Sequence, residues 1–307
     1  MRALITGMDG FIGSHLADFL LEKGFSVYGT FHRGQKNTPK AARAIKCDVS
    51  KKGSVANIIK RIRPDYVFHM AAQSFVVPSW LDPETTMRAN VIGTLNILEA
   101  LKDTDTKVAV ACSSAEYGLT HKNELPIKEE NALRPSSPYA VSKVGTDMVS
   151  YVYYNAYGMK LFRIRFFNII GTRKRMDACS DFARGIAEVE KGKKKYLEVG
   201  NLDGVRDFTD VRDAVKAVWM ITKKGKYGDV YNVCSGRGHK MRDVLDILLS
   251  MSNRKIEVKQ SDKRMRKIDD PIFIGDNSKL RGLGWKPEMP MEKTLQDLVD
   301  YWRNEIK

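Results

Sequence analysis

From its first residue the chain alternates short β-rich apolar runs with amphipathic stretches, an order that few folds accept. The apolar runs fall at residues 2–6, 26–31, 66–70, 107–113 and 161–166, and the amphipathic stretches at 11–23, 54–62, 83–102 and 136–156. Runs that are apolar on both faces suit a parallel sheet covered by helices on both sides. The β-α-β-α-β order therefore predicts an α/β fold, a doubly wound, right-handed parallel sheet of Rossmann type. After Asn168 the pattern loosens. An Arg- and Lys-rich loop leads to a helix near 179–191 and a strand at 196–199; a helix at 211–222 and a strand at 229–234 read as a return to the main sheet. Beyond them a helix at 241–251, a strand at 255–259 and a closing helix at 291–306 complete the chain. The expected division is a sheet domain of residues 1–171 plus about 211–236, and a smaller C-terminal α/β domain of 172–210 plus 237–307. The smaller part would cap the carboxyl ends of the parallel strands, where such sheets bind ligands.

Composition removes several classes. With 307 residues, 43% hydrophobic and 29% charged, the chain has ample material for a core and is neither disordered, collagen-like nor a small disulfide scaffold. No apolar run approaches the ~20 residues that span a bilayer, and residues 1–6 read as a first buried strand rather than a signal peptide. The expectation is a cytoplasmic protein with no membrane partner. Cys47, Cys112, Cys179 and Cys234 are widely scattered and form no metal-spaced pair, so no metal site is expected. Fifty-two basic against 37 acidic residues give +15, with basic clusters at 191–195, 223–226 and 263–267. Such an excess suits nucleic acid, a membrane surface or a polyanionic small molecule. No nucleic-acid motif accompanies it, and no nucleic-acid partner is expected.

Three segments carry chemistry. Thr6-Gly7-Met8-Asp9-Gly10-Phe11-Ile12-Gly13 lies between the first strand and the first helix. Glycines there permit a tight turn, close approach of backbone N–H groups to a pyrophosphate, and tight helix–strand packing. The spacing is one residue longer than G-x-G-x-x-G; alone it is a weak signal, but in this context it reads as a dinucleotide site. At the end of the second strand, Thr30-Phe31-His32-Arg33 offers no acid for a ribose 2′-hydroxyl, whereas Arg33 can pair with a 2′-phosphate. NADP(H) is favoured, with NAD(H) as the alternative. Asp48, in Lys46-Cys47-Asp48-Val49, either contacts the adenine or starts a turn.

The third segment pairs Ser113-Ser114-Ala115-Glu116-Tyr117-Gly118, at the end of a strand, with Tyr139-Ala140-Val141-Ser142-Lys143 on the next helix. A Tyr and a Lys four apart share one helix face, so the ammonium can sit beside the phenol and pull its pKa from ~10 toward neutrality. That suits proton transfer at a carbonyl or alcohol, with a serine hydroxyl steadying the same oxygen.

Gly7–Gly13, Ser113, Tyr139 and Lys143, with the segments 69–74, 134–139, 199–213 and 231–236, resemble the extended short-chain dehydrogenase/reductases acting on nucleotide sugars, over essentially the whole chain and most closely in their GDP-mannose branch. The resemblance implies hydride transfer from the nicotinamide to the C4 keto carbon of a GDP-4-keto-6-deoxyhexose. Tyr139 would protonate the C4 oxygen, Lys143 would bind the nicotinamide ribose, and Ser113 would hydrogen-bond the oxygen. Gly7, Gly10, Phe11, Ile12, Gly13, His32, Arg33, Asp48, Val49, Ala71, Ala72 and Gln73 would line the cofactor, together with Tyr139 and Lys143. Ser114, Asn168, Arg206, Arg266 and Asp269 would line the GDP-sugar. The resemblance also implies a homodimer through a four-helix bundle built from the helices at 83–102 and 136–156, with Met87, Val91, Leu95 and Leu98 along the seam.

Two departures from the branch stand out, the first bearing on the reaction and the second on the nucleotide base. Sugar dehydratases of this branch place the glutamate that removes the C5 proton at the position that is Ala115 here. Glu116 follows it and, on a strand, would face the other way. The second departure is Arg266-Lys267-Ile268-Asp269, where the branch usually has Arg-Pro-x-Glu. Reduction is thus favoured over 4,6-dehydration, the runner-up. A 4-epimerase would use the same triad but usually carries an acid after the second strand. A silent NADP-sensing protein or a nucleic-acid binder would not need Ser113, Tyr139 and Lys143 together.

Overall fold

The computed structural model describes residues 1–32, 34–264 and 271–306, so the expectations on Arg33, Arg266 and Asp269 lie outside the described residues. In chain order the strands are β1 (Arg2–Thr6), β2 (Ser26–Phe31), β3 (Arg43–Lys46), β4 (Tyr66–His69), β5 (Lys107–Ser113), β6 (Leu161–Phe166), β7 (Asn168–Ile170), β8 (Tyr196–Val199), β9 (Val205–Asp210), β10 (Val230–Val233), β11 (Gly238–Lys240), β12 (Glu257–Gln260) and β13 (Ile272–Phe273). The helices are α1 (Phe11–Glu22), α2 (Lys52–Ile62), α3 (Val76–Leu81), α4 (Pro83–Met87), α5 (Gly93–Leu101), α6 (Pro138–Tyr157), α7 (Ala178–Glu190), α8 (Val211–Lys224), α9 (Met241–Ser250), α10 (Ser278–Gly282) and α11 (Met291–Glu305).

Seven parallel strands form the main sheet in the order β10-β6-β5-β4-β1-β2-β3. The order reverses between β1 and β4, and the crevice at their carboxyl ends is where a sheet of this kind leaves room for a ligand. Apolar clusters fill both faces. One packs α1 and α8 against Ala3, Ile5, Phe68 and Ile164, and the other packs α2 and α5 against Leu4, Val67, Val108 and Val110. The sheet and its helices agree with the pattern in the sequence. The edge strand β3 was missed because it is short and lacks a buried apolar run.

β6 departs from the expectation of two apolar faces. Its period of two sends Phe162, Ile164 and Phe166 into one core and Arg163 and Arg165 to the opposite face, all of them buried. Burying two guanidinium groups costs several kcal/mol each unless they are paired. Asp147 of α6 supplies the partner, accepting from Arg163 Nη1 and from Arg165 Nε at 2.8 Å.

A second core gathers α7, α9 and α11 around Phe182, Leu197, Leu245 and Trp302. β9 is flanked by β11 and β13 and also pairs with β7, in a small sheet beside the carboxyl ends of β5 and β6. α7 and α11 are tied by Glu190, which accepts from Arg303 Nε at 2.8 Å and Nη2 at 2.7 Å. Arg303, with help from Ser252 and Asn253, holds the Glu190 carboxyl down at about 2. A depressed acid contributes stability that is present above its unfolded pKa and lost as pH falls through the folded one. Glu190→Gln should therefore melt below wild type at pH 7, and the gap in Tm should close as the pH is lowered from about 5 toward 2. A gap that stays constant with pH would show that the bridge contributes nothing.

Candidate functional site

The glycine turn sits at the strand-order reversal. Gly7 has φ +67°, and a Cβ there would lie 2.8 Å from Ala71 Cα at the end of β4. At Gly13 a Cβ would come within 2.2 Å of the Gly7 carbonyl oxygen, so both positions need glycine for close approach. Gly10 is the N-cap of α1 and supplies no side-chain acceptor, which leaves first-turn N–H groups pointing into the crevice. Phe11 and Ile12 open that turn, half-buried. Ala71, Ala72 and Gln73 come from β4 to the same place, half-buried beside Gly7.

A buried polar chain stiffens this floor. Thr6 Oγ1 contacts His69 Nδ1 at 2.7 Å, and His69 Nε2 contacts Thr94 Oγ1 at 3.1 Å. Thr94 donates its own proton to the Asn90 carbonyl, so it accepts from His69 Nε2–H, and Thr6 donates to Nδ1. The imidazole is neutral in this arrangement, and burial, with Lys143 nearby, drops its pKa to about 3. Asn90 continues the chain, accepting from Gln73 N at 2.8 Å and donating to Ser142 Oγ at 2.8 Å. Sequence reasoning missed Asn90, Thr94 and the role of His69, because nothing in their spacing shows that they meet.

The adenosine end is less sharply drawn. His32 is exposed at the end of β2. The His32 imidazole favours the charged forms of two nearby acids, Asp9 and Asp48. They arrive from the glycine turn and from the loop after β3, so no spacing along β2 could reveal them. Asp48 accepts from Ser50 N at 3.0 Å and Ser50 Oγ at 2.7 Å, starting a turn as one of its two readings had it. Val49 packs into the core, and its carbonyl is taken by Asn96 Nδ2 at 2.9 Å.

Ser113, Tyr139 and Lys143 converge at the carboxyl end of β5. Ser137 caps α6 by accepting from Ala140 N, and the Ser79 hydroxyl of α3 accepts from Tyr139 N at 3.1 Å, which pins the start of the helix. The Ser113 hydroxyl is a hydrogen-bond partner of the Tyr139 phenol. One expectation is corrected here. Lys143 Nζ donates to the Ala111 carbonyl at 2.6 Å, so the ammonium is held by β5 instead of pulling the phenol down. Burial pushes Tyr139 up to about 12; Ser113 opposes the rise, and Glu116 and Cys112 add to it. Burial also lowers the Lys143 pKa.

Glu116 does not lie on a strand. Residues Ser114–Glu116 form a 3₁₀ turn with Ser114 buried in it. The Glu116 carboxyl folds back into the interior, accepting from Ser113 N at 2.7 Å and from Arg165 Nε at 3.2 Å. Arg165 also donates to the Tyr117 hydroxyl and the Glu129 carbonyl. Cys112, Glu116 and Asp147 bring donor atoms within 4.8 Å of one another, but the Arg165 guanidinium already occupies that cluster. Two signals for it were open in the sequence: Asp147 extends the four-residue stripe of Tyr139 and Lys143, and β6 carries two arginines two apart.

On the far side of the crevice, Asn168 Nδ2 donates to the Asp207 carbonyl at 3.1 Å. Arg206 lies half-buried on β9, its guanidinium over Gly204, where a Cβ would come within 3.1 Å of Nη1. The neighbouring Asp207 carboxylate gathers Ser235 N, Ser235 Oγ and Gly236 N, and burial raises it to about 6 against those bonds. Asp207 falls within the segment 199–213, but nothing in its spacing shows this anchoring role.

A doubly wound sheet with a glycine turn at its reversal and Ser, Tyr and Lys at the end of the next strand is the arrangement of the short-chain dehydrogenase/reductases. Within that class the chain belongs to the GDP-mannose 4,6 dehydratase family, whose model matches residues 4–298. It is 32% identical to the GDP-6-deoxy-D-mannose reductase of Pseudomonas aeruginosa, over 100% of this chain and 98% of that protein. It is 30% identical to the GDP-mannose 4,6-dehydratase of Vibrio cholerae, over 97% of this chain and 92% of that one. Among solved structures it is similar to RMD from Pseudomonas aeruginosa complexed with NADPH, with a TM-score of 0.87 and 30% identity, 99% of each chain being covered.

Proposed function

We propose that the protein reduces the C4 carbonyl of a GDP-4-keto-6-deoxyhexose with NADP(H), NAD(H) being the other nicotinamide that the turn admits. The observation that carries this reading is the position of Glu116. Its carboxyl is buried and shared by Ser113 N and Arg165, and Ala115 stands where dehydratases of the branch need their base. The likeness to the reductase over the full chain supports the same choice.

The glycine cradle fits a dinucleotide: Gly7, Gly10, Phe11, Ile12 and Gly13 would hold the pyrophosphate, with Ala71, Ala72 and Gln73 beside them. His32, Asp48 and Val49 would serve the adenosine end. When bound, the nicotinamide supplies the hydride. Tyr139, neutral at pH 7, gives its proton to the C4 oxygen, and Ser113 hydrogen-bonds that oxygen as charge develops on it. Lys143 would reach the nicotinamide ribose. Ser114, Asn168 and Arg206 would face the sugar and its diphosphate, to which a guanidinium fork is well suited. Residues 1–171 plus about 211–236 would form the cofactor domain, and 172–210 plus 237–307 the sugar-nucleotide domain.

A homodimer is part of this reading. Leu98, expected at the seam, lies in the core. The exposed apolar face here is made instead by Val141, Met148 and Val152 of α6 and by Ile92 just before α5, with α3 adding Val77 and Trp80. The family resemblance implies a homodimer through these helices, so a second copy is the occupant proposed for this face. A dimer in sedimentation at micromolar protein is expected; a monomer removes the proposal.

The decisive assay offers GDP-mannose with NADP in one tube and GDP-4-keto-6-deoxymannose with NADPH or NADH in others. Stoichiometric NADPH consumption on the keto sugar, with GDP-mannose untouched, is expected. Conversion of GDP-mannose to the keto sugar with no net change in cofactor would make the enzyme a dehydratase and overturn the role given to Ala115.

A further inference from the structure

We propose that Glu116 is a positioning residue whose buried carboxyl clamps the backbone N–H of Ser113 and so aims the Ser113 hydroxyl at Tyr139. The inference rests on the reading above, in which Ser113 and Tyr139 carry the proton transfer.

Ser113 is the last residue of β5, with extended backbone at φ −149° and ψ 142°. In register with Phe166 at the last rung of the ladder, it turns its N–H to Glu116 Oε1 at 2.7 Å, while its Oγ accepts from Ala115 N at 3.2 Å. This is a reciprocal cap, a device usually found at solvent-exposed helix starts, yet Glu116 has no exposed surface. Its other oxygen meets Arg165 Nε at 3.2 Å, and its side chain shares a hydrogen bond with Asp147.

Asp147 lies four residues after Lys143 and eight after the half-buried Tyr139, on the same stripe of α6. One carboxyl thus joins the end of β5, the helix that carries the phenol, and the paired arginines of β6. Burial and the Asp147 charge raise the Glu116 pKa, while Arg165 and Arg163 lower that of Asp147, so of the two carboxyls Glu116 is the one that favours the proton. In the hydrogen bond between them Glu116 is the donor and Asp147 the acceptor, and Oε1 is left to accept from Ser113 N. A neutral carboxyl bonded in this way has no capacity to act as a base on the sugar, but it is well built to hold a backbone amide. A displacement of about 1 Å in a reacting group can cost 10²-fold in rate, so the clamp matters to turnover without touching substrate.

Two variants of the full-length protein test the clamp. Glu116→Met keeps the length and removes both polar contacts; Glu116→Gln keeps the acceptor for Ser113 N and a donor for Asp147. The Met variant is expected to lose about 10- to 100-fold in kcat, with KM for both substrates within about threefold, and the Gln variant to recover most of it. Hydrogen exchange read on residues 107–118 should show protection of the Ser113 amide lost in Met and kept in Gln. Unchanged kcat and protection in the Met variant would overturn the proposal. Equal losses in Met and Gln would overturn it too, since the acidic group and not the acceptor would then matter. A fall in Tm with a rise in KM, and kcat intact, would mark a merely structural role. If wild type itself does not turn over the keto sugar, the reductase reading fails, and the Ser113 exchange in the two variants still decides the clamp.

Discussion

Tyr139→Phe is expected to lower kcat for keto-sugar reduction by about 10²- to 10⁴-fold, the usual contribution of a positioned general acid. Dinucleotide affinity should change little, because the glycine turn and Ala71–Gln73 remain as they are. The phenol is partnered by Ser113 and half-buried, so phenylalanine keeps the packing and removes only the hydroxyl. With its pKa pushed up to about 12, Tyr139 is in the proton-donating form throughout the neutral range. A general acid is active below its pKa and fails above it, so the reductive rate should show no Tyr139 limb until the pH is strongly alkaline. Steady-state kinetics of both proteins across that range would check this. A wild-type rate that falls above neutrality, with the fall absent in the Phe variant, would mean that the phenol ionises far more easily than its surroundings imply. Retained kcat in Tyr139→Phe would remove Tyr139 from the mechanism.

The largest stability effect is expected at Arg165. Its guanidinium serves Asp147, Glu116, the Tyr117 hydroxyl and the Glu129 carbonyl, and its side chain is 4% exposed. Replacing both partners of a buried ion pair by apolar groups is often neutral, but removing one leaves a charge without its partner. Arg165→Met should cost about 3–5 kcal/mol, a large part of the ~5–15 kcal/mol that holds a typical domain folded. Urea denaturation of the variant, followed by far-UV circular dichroism, would measure it. A loss below about 1 kcal/mol would show that Arg163 alone satisfies Asp147. The triple variant Arg163→Met, Arg165→Met, Asp147→Leu, which removes every charge of the buried cluster around Asp147, should recover part of the loss.

The sequence by itself determined the sheet and its glycine turn, because these rest on local rules. Alternating apolar runs must pair, amphipathic stretches must cover them, and Gly7 and Gly13 stand where a Cβ would collide with backbone. The stripe of Tyr139 and Lys143 was equally legible from helical spacing. Only the tertiary structure decided which groups reach which. It turned Lys143 onto the Ala111 carbonyl, folded Glu116 inward on a 3₁₀ turn, and brought Asp9 and Asp48 beside His32. It also buried Leu98 and left Ile92 and Val152 outside. The physical reason is that a side chain's charge state and partner depend on desolvation and on donors from distant segments, here Glu116 with Asp147 and Arg165. Such contacts across 31 and 49 positions leave no periodic trace in the chain.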